Sequence, residues 1–255
     1  MNFQVLTLFP QLIESVLSEG VVGQAFKRKM LGLDLINPRN FAEDIHRSVD
    51  DRPYGGGDGM VMLPQVLSTA LMARPCHADH VIYMSPQGQT LNEKKVSELS
   101  QQKCLTVICG RYAGVDQRFI NQYVDEEISL GDFVLSGGEL AALCLIDAVA
   151  RKLPGVLGHA ESADSDSFAA GKGLEGPLFT RPQIWQNEIV PPILLSGDHK
   201  KIARWRKNIS DLMTYFKRPE LFQSHAQNIK KLQTFFDSLT EEEKIACGLP
   251  LEFPK

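Results

Sequence analysis

The chain has 255 residues, 43% of them hydrophobic, which suffices for one large core or two modest ones. Its net charge of −4 excludes a surface that is basic throughout, although a local basic patch for nucleic acid is still allowed. The five cysteines show no C-x-x-C spacing, which argues against a disulfide framework and against a zinc site.

The first half of the chain alternates predicted strands with predicted helices, a pattern typical of a parallel sheet with helices on its faces. The predicted strands are 3–8, 31–36, 79–84, 104–109 and 125–130. The predicted helices are 10–19, 23–30, 64–73, 91–100, 115–122 and 138–151. Between them, the polar and glycine-rich segment 42–59 is predicted to be a long functional loop.

The predicted helix 138–151 is apolar almost all round, which indicates a buried helix. Asp147, a charged residue within this apolar helix, is interpreted as structural and is not placed in the site. Cys104, Cys109 and Cys144 lie in apolar surroundings and are expected to be small core residues.

From residue 158 to residue 176 the composition shifts to Ser, Ala, Asp and Gly without periodicity, which indicates a flexible linker. The segment after it is predicted to be helical at 182–187, 198–214, 219–223, 226–238 and 240–246. We therefore expect a domain at 1–158, a linker at 159–176 and a helical domain at 177–255.

The helical part contains a basic stretch. Between Asp198 and Arg218 there are seven Lys or Arg residues against two Asp, with Trp205, Tyr215 and Phe216 interleaved. The stretch is either a solvated helix face with core aromatics or an RNA-contacting patch, and the sequence leaves both interpretations open.

The N-terminus has no basic segment followed by an apolar core, and no apolar run reaches transmembrane length. We expect a soluble, cytoplasmic protein that does not associate with membranes.

Three glycine-bearing loops follow predicted strands, at 82–88, 107–114 and 127–140. In open parallel sheets ligands bind outside the carboxyl ends of strands, and glycine permits close approach of the backbone. A single loop of this kind would be an ordinary turn between a strand and a helix, whereas three in succession favour a ligand site. The chain lacks both G-x-G-x-x-G after a first strand and a P-loop, which argues against a dinucleotide site.

These loops carry S-P-Q-G, C-G-R-Y-x-G-V-D-x-R and S-L-G-D-F-V-L-S-G-G-E-L. In that order they resemble the bacterial tRNA (guanine-N1)-methyltransferases of the trefoil-knotted SPOUT superfamily. The resemblance covers nearly the whole chain through Leu6–Pro10, Asp51–Gly57, Pro154–Gly158, Asp166–Phe168, Thr180–Pro182, Val190–Pro192, Leu195–Gly197 and Arg218–Leu221.

The resemblance implies an α/β fold with a deep trefoil knot near residues 82–140, followed by a small all-helical C-terminal domain. It implies S-adenosylmethionine-dependent methylation of N1 of the guanine 3′ to the tRNA anticodon, at position 37. It also implies a homodimer with the active site at the subunit interface, where the linker folds over the cofactor of the other subunit. DNA is not an expected partner.

The resemblance also implies the site residues. Asp166 is the expected general base for the N1 proton, and Arg151 is expected to stabilise negative charge on O6. The expected cofactor contacts are Tyr83, Met84, Ser85, Pro86, Gly110, Ser129, Leu130, Gly131, Leu135, Gly137 and Gly138. The expected substrate contacts are Ser167, Glu175, Lys200, Lys201, Arg204 and Arg206. No metal ligand is identified, although relatives are associated with Mg²⁺.

The chain departs from the family pattern at Ala113, where the family usually has Glu, at Ala141 in place of Pro, and at Glu175 in a slightly longer linker. The change at Ala113 alters the loop that faces the target base. Two alternatives therefore stay open: a knotted methyltransferase with another RNA target, and a non-catalytic RNA-binding homologue that retains the cofactor pocket.

Overall fold

The computed structural model describes four stretches of the chain, residues 1–76, 80–158, 166–222 and 226–254. The chain divides into two compact units, Met1–Ala160 and Glu161–Lys255. Residues 159–165 of the predicted linker lie outside the described residues. No helix in the four stretches is long and apolar enough to span a membrane.

The first unit is built around a five-stranded, all-parallel sheet, as the alternating pattern predicts. The strands are β1 (Asn2–Leu6), β2 (Gly32–Ile36), β5 (His80–Thr90), β6 (Cys104–Cys109) and β7 (Glu126–Ser129). They are hydrogen-bonded in the order β2-β1-β6-β5-β7. The short antiparallel strands β3 (Asp50–Asp51) and β4 (Val61–Met62) form a separate hairpin that begins inside the predicted loop.

Helices pack on both faces of this sheet. They are α1 (Pro10–Leu17), α2 (Gly20–Lys27), α3 (Pro64–Met72), α4 (Glu93–Leu99), α5 (Gln117–Tyr123) and α6 (Glu139–Ala150). One core contains α1, α2, α4 and α6, and the other contains α3 and α5. Successive strand residues point to opposite faces. Thus Ile82 and Met84 join the first core, whereas Val81 and Tyr83 join the second.

Helix α6 is mostly buried, as predicted, apart from one exposed stripe. Leu140 is 51% exposed, and Cys144 and Asp147 are exposed as well. These positions have the i, i+4, i+7 spacing of a single helix face, so the apolar composition concealed an outward-facing stripe. Cys144 is therefore not a core residue, whereas Cys104 and Cys109 are buried as predicted.

The second unit contains the helices α7 (His199–Lys217), α8 (Ala226–Ser238) and α9 (Glu241–Ala246). Helix α7 buries an apolar stripe that includes Trp205, Ile209 and Leu212 in the core of this unit. Of the predicted helix 219–223, the structure has a 3₁₀ turn at Pro219–Leu221, and residue 223 lies outside the described residues.

The predicted helix 182–187 is wrong. The structure has an antiparallel hairpin there, formed by β8 (Ile184–Trp185) and β9 (Glu188–Ile189). Gln186 and Asn187 have φ values of 50° and 69° and form the two-residue turn. A turn with positive φ at both central residues matches the twist of paired strands and interrupts any helix.

Candidate active site

All eleven residues predicted to bind the cofactor line one cavity, where β5, β6 and β7 lead into their loops. The cavity has a volume of about 170 Å³. The structure therefore brings the three glycine loops together, while their contact with a cofactor stays a prediction.

The S-P-Q-G loop arises from a register shift in β5. Met84 and Gln89 both pair with Ile128 of β7, so the residues between them bulge out of the strand. A Cβ at Gly88 would lie 2.3 Å from the carbonyl carbon of Glu127, so glycine is required where the chain returns against β7.

The loop after β6 lies against the phenol ring of Tyr83. A Cβ at Gly110 would lie 2.7 Å from Oη of Tyr83, which leaves no room for a side chain. Burial and, to a lesser extent, the carboxylate of Glu127 raise the pKa of Tyr83 above its ordinary value, and the backbone N–H of Val115 opposes this shift. The phenol therefore stays neutral at physiological pH.

The loop that leads into α6 is held against the end of β6. The N–H of Gly138 donates to the carbonyl of Gly110 at 2.9 Å. A Cβ at Gly138 would lie 2.8 Å from Cα of Cys109. Gly138 is therefore required because a side chain there would collide with the backbone of Cys109. The space beside its Cα is filled by protein and is not available to a ligand.

A buried ion pair that the sequence did not reveal joins two of these loops. Nε of Arg111 lies 2.9 Å from Oε2 of Glu139, whose side chain is 1% exposed. The hydroxyl of Thr7 donates to Oε1 of Glu139 at 2.8 Å. The guanidinium of Arg111 also donates to the carbonyl of Ser136 at 3.1 Å and lies 4.2 Å from the ring centroid of Phe9. Arg111 thereby fastens the loop before α6 to the loop after β6.

Ala113 contacts the glycine-rich hairpin connection. Its N–H donates to the carbonyl of Met60 at 2.8 Å, and the N–H of Met62 donates to the carbonyl of Gly114 at 2.9 Å. A Cβ at Gly59 would lie 3.2 Å from Cβ of Ala113. The side chain of Ala113, where the resemblance predicts Glu, is therefore exposed beside Gly59 and lines the cavity.

The two predicted catalytic residues lie in different compact units. Arg151 is half-buried at the C-terminal end of α6 in the first unit. Asp166 belongs to the second unit and is half-buried where the described part of the linker begins. Their roles stay predictions.

The described part of the linker is attached to α7. The N–H of Leu174 donates to Oγ1 of Thr214 at 2.8 Å, and the hydroxyl of Ser210 donates to the carbonyl of Leu174 at 2.6 Å. The N–H of Glu175 donates to Oγ of Ser167 at 2.9 Å, which joins two predicted substrate residues. Residues 166–176 thus pack with the helical unit, and the three-part domain division stays a prediction.

The predicted RNA-binding cations lie on α7. All four are exposed: Lys200, Lys201, Arg204 and Arg206. Asp198 caps the helix by accepting from the N–H of Lys201 at 3.1 Å, and this hydrogen bond lowers the pKa of its carboxyl group. Among the described residues, no group of three or more His, Cys, Asp or Glu could hold a metal ion.

Comparison with known proteins supplies the family. The family described as tRNA (Guanine-1)-methyltransferase TrmD matches residues 1–224. The tRNA (guanine-N(1)-)-methyltransferase of Photobacterium profundum is 52% identical over 220 residues, 85% of this chain and 88% of the relative. The protein of that name from Pseudoalteromonas translucida is 47% identical over 247 residues, 96% of each chain. The chain therefore belongs to the tRNA (Guanine-1)-methyltransferase family.

Proposed function

We propose that this enzyme transfers a methyl group from S-adenosylmethionine to N1 of the guanine at position 37, 3′ to the anticodon of tRNA. The observation that carries the proposal is the meeting of the three glycine loops at one cavity. Family membership supports the reaction class and the tRNA substrate.

The residues at the cavity fit an adenosine-containing methyl donor. Apolar side chains of Met84, Pro86, Leu130 and Leu135 can sandwich a flat ring, and the backbone of the glycine loops can bond its polar edge. Ser129 already fixes its own loop, since its hydroxyl accepts from the N–H of Gly131 at 3.1 Å. When bound, the donor supplies a methyl group that is electrophilic because of its sulfonium.

The chain's own task is to deliver a deprotonated nucleophile in line. N1 of guanine carries a proton, so a carboxylate must accept it, and Asp166 has this role. As the proton leaves, negative charge spreads to O6, where the guanidinium of Arg151 stabilises it. Ser167 and Glu175 position the base, and the exposed cations of α7 bind phosphates of the anticodon stem.

The proposal includes a homodimer and a trefoil knot. The outward face of α6 supports a dimer, because it presents two exposed apolar residues one turn apart, Leu140, which is 51% exposed, and Cys144. The close contacts of Gly88 with β7 and of Gly138 with β6 are compatible with a chain that is threaded tightly through its own loops.

The test is incubation with methyl-tritiated S-adenosylmethionine and an unmodified tRNA transcript that carries guanine at position 37. A transcript with adenine at that position is the matched control. We expect label on N1 of guanine 37 and none on the control. Label on another nucleotide would indicate a different RNA target. Cofactor binding without label would indicate a non-catalytic homologue.

A further inference from the structure

A second cleft lies wholly within the helical unit, between α7, α8 and residues 171–173. It has a volume of about 570 Å³. Each of its three walls contributes one lysine: Lys172, Lys207 and Lys231. Among the described residues at this cleft, Asp211 is the one acidic side chain, and it already pairs with Lys207 at 3.0 Å. The lining of the cleft therefore has three lysines and one carboxylate.

The three walls are held in fixed positions. The two helices share a core in which Leu212 and Phe236 are almost fully buried. The third wall is bonded to α7 through Leu174 and Thr214, and a Cβ at Gly173 would lie 2.1 Å from Oγ1 of Thr214. The backbone positions of the three lysines are therefore fixed before an anion binds, which lowers the entropic cost of binding.

The cleft continues the basic face of α7. Lys200, Arg204, Lys207 and Asp211 follow at intervals of four, three and four residues, so they share one side of the helix. From Lys200 to Lys207 this side extends about 10 Å along the helix axis, at about 1.5 Å per residue. A row of cations that ends in a lysine-lined cleft suits a chain of phosphates better than one small anion.

We propose that this cleft binds a backbone phosphate of the RNA substrate through Lys172, Lys207 and Lys231. Asn208 and Asn228 also line the cleft and can donate to a phosphate or a ribose. Lys172 follows Asp166 by six residues in the same segment, so the bound phosphate holds the RNA against the segment that carries the expected base. This inference rests on the proposed function and adds an RNA-binding site to it.

The experiment compares two double variants. Lys207→Gln with Lys231→Gln removes two cleft lysines. Lys217→Gln with Lys230→Gln removes two exposed lysines from the same helices, outside the cleft. Binding of a tRNA transcript is measured by fluorescence anisotropy over a range of salt concentrations. All four lysines are exposed, so both variants should melt at the wild-type temperature; if a double variant does not fold, the single variants replace it.

For the cleft variant we expect roughly tenfold weaker binding near 0.15 M salt and a salt slope that is less steep by about 0.7–0.9, because the cleft binds one phosphate and each phosphate contact contributes about that amount. The control should match the wild type. In methylation assays the cleft variant should raise KM and leave kcat within about twofold, since Lys207 and Lys231 touch no reacting atom.

Equal slopes for the two double variants, with normal binding and methylation by the wild type, would overturn the cleft assignment alone. Wild-type protein that neither binds nor methylates tRNA would overturn the proposed function and the cleft with it. Poly-L-glutamate that binds the wild type and not the cleft variant, while tRNA binding is unchanged, would reassign the cleft to an acidic peptide.

Discussion

The guanidinium of Arg111 and the carboxylate of Glu139 form a buried ion pair at 2.9 Å between two loops of the cavity. Glu139 opens α6, where a negative charge also complements the helix dipole. Glu139 in turn accepts from the hydroxyl of Thr7, which follows strand β1 inside the sheet. The walls of the cavity are thereby fixed to the sheet before any ligand arrives.

This pair predicts strong energetic coupling. Glu139→Gln keeps the shape but leaves the charge of Arg111 with no counterion, so the free energy of unfolding should fall by about 3 kcal/mol. Arg111→Met should lower the free energy of unfolding by a similar amount. The double variant should lower the free energy of unfolding by clearly less than the sum of the two single variants, because it removes both charges. Urea denaturation measures all three, and simple additivity would contradict the coupling.

The apolar wall of the cavity predicts a variant that loses cofactor without unfolding. Leu135 lines the cavity and is 37% exposed, so Leu135→Asp should leave the melting temperature nearly unchanged. A carboxylate beside a flat apolar ring should weaken S-adenosylmethionine binding at least tenfold, or about 1.4 kcal/mol. Calorimetry measures the affinity, and Val21→Asp, at an exposed position on α2, is the matched control. If Leu135→Asp and the wild type bind S-adenosylmethionine with equal affinity, Leu135 does not contact the cofactor.

The proposed base predicts a variant with separate effects on binding and on rate. Asp166→Asn keeps the shape of the side chain but cannot accept a proton at neutral pH. It should bind the cofactor normally and lose activity by a factor on the order of 10²–10⁴, the range of general acid–base catalysis. Single-turnover methylation measures this loss. A rate within about threefold of wild type, far short of that range, would exclude Asp166 as the base.

The exposed cations of α7 predict a change in salt dependence. The variant replaces four residues with Ala: Lys200, Lys201, Arg204 and Arg206. It should weaken tRNA binding and reduce the salt slope by about 0.7–0.9 for each phosphate that the variant no longer binds, with unchanged cofactor affinity. The control replaces four exposed cations of the first unit: Lys27, Arg28, Lys94 and Lys103. An unchanged salt slope would mean that these α7 residues form a solvated helix face and bind no phosphate.

The departure at Ala113 predicts a gain of activity. Ala113 is exposed beside Gly59, so a carboxylate placed there stays hydrated and should change stability by about 0.5 kcal/mol or less. If the family's Glu accepts a hydrogen bond from the guanine edge, Ala113→Glu should raise the rate about tenfold or more, since such a bond contributes roughly 1.5–3 kcal/mol. Ala113→Gln should gain less, because it lacks the charge. A stable Glu variant without a gain would contradict the missing contact.

Local patterns predicted most of the first unit. The strands and helices of the sheet agree with their predicted positions to within a few residues, apart from the longer β5, because each is a continuous apolar or amphipathic run with clear breaks. The hairpin at 184–189 was missed because two-residue strands have no measurable period. The outward stripe of α6 was missed because composition says nothing about which side a neighbour covers.

The sequence by itself determined the parallel α/β class, the family and, through the resemblance, eleven of the residues that line the cavity, because the glycine motifs are local and ordered along the chain. The tertiary structure decided which contacts hold these cavity residues in place. Thr7 and Glu139 are separated by 132 residues and meet only because β1 lies beside β6 in the sheet. Likewise, the cleft lysines come from three segments that only the packing of α7, α8 and residues 171–173 brings together. A local sequence pattern records the secondary-structure preference of its own segment. A long-range contact depends instead on how segments that are distant in the sequence are arranged in space.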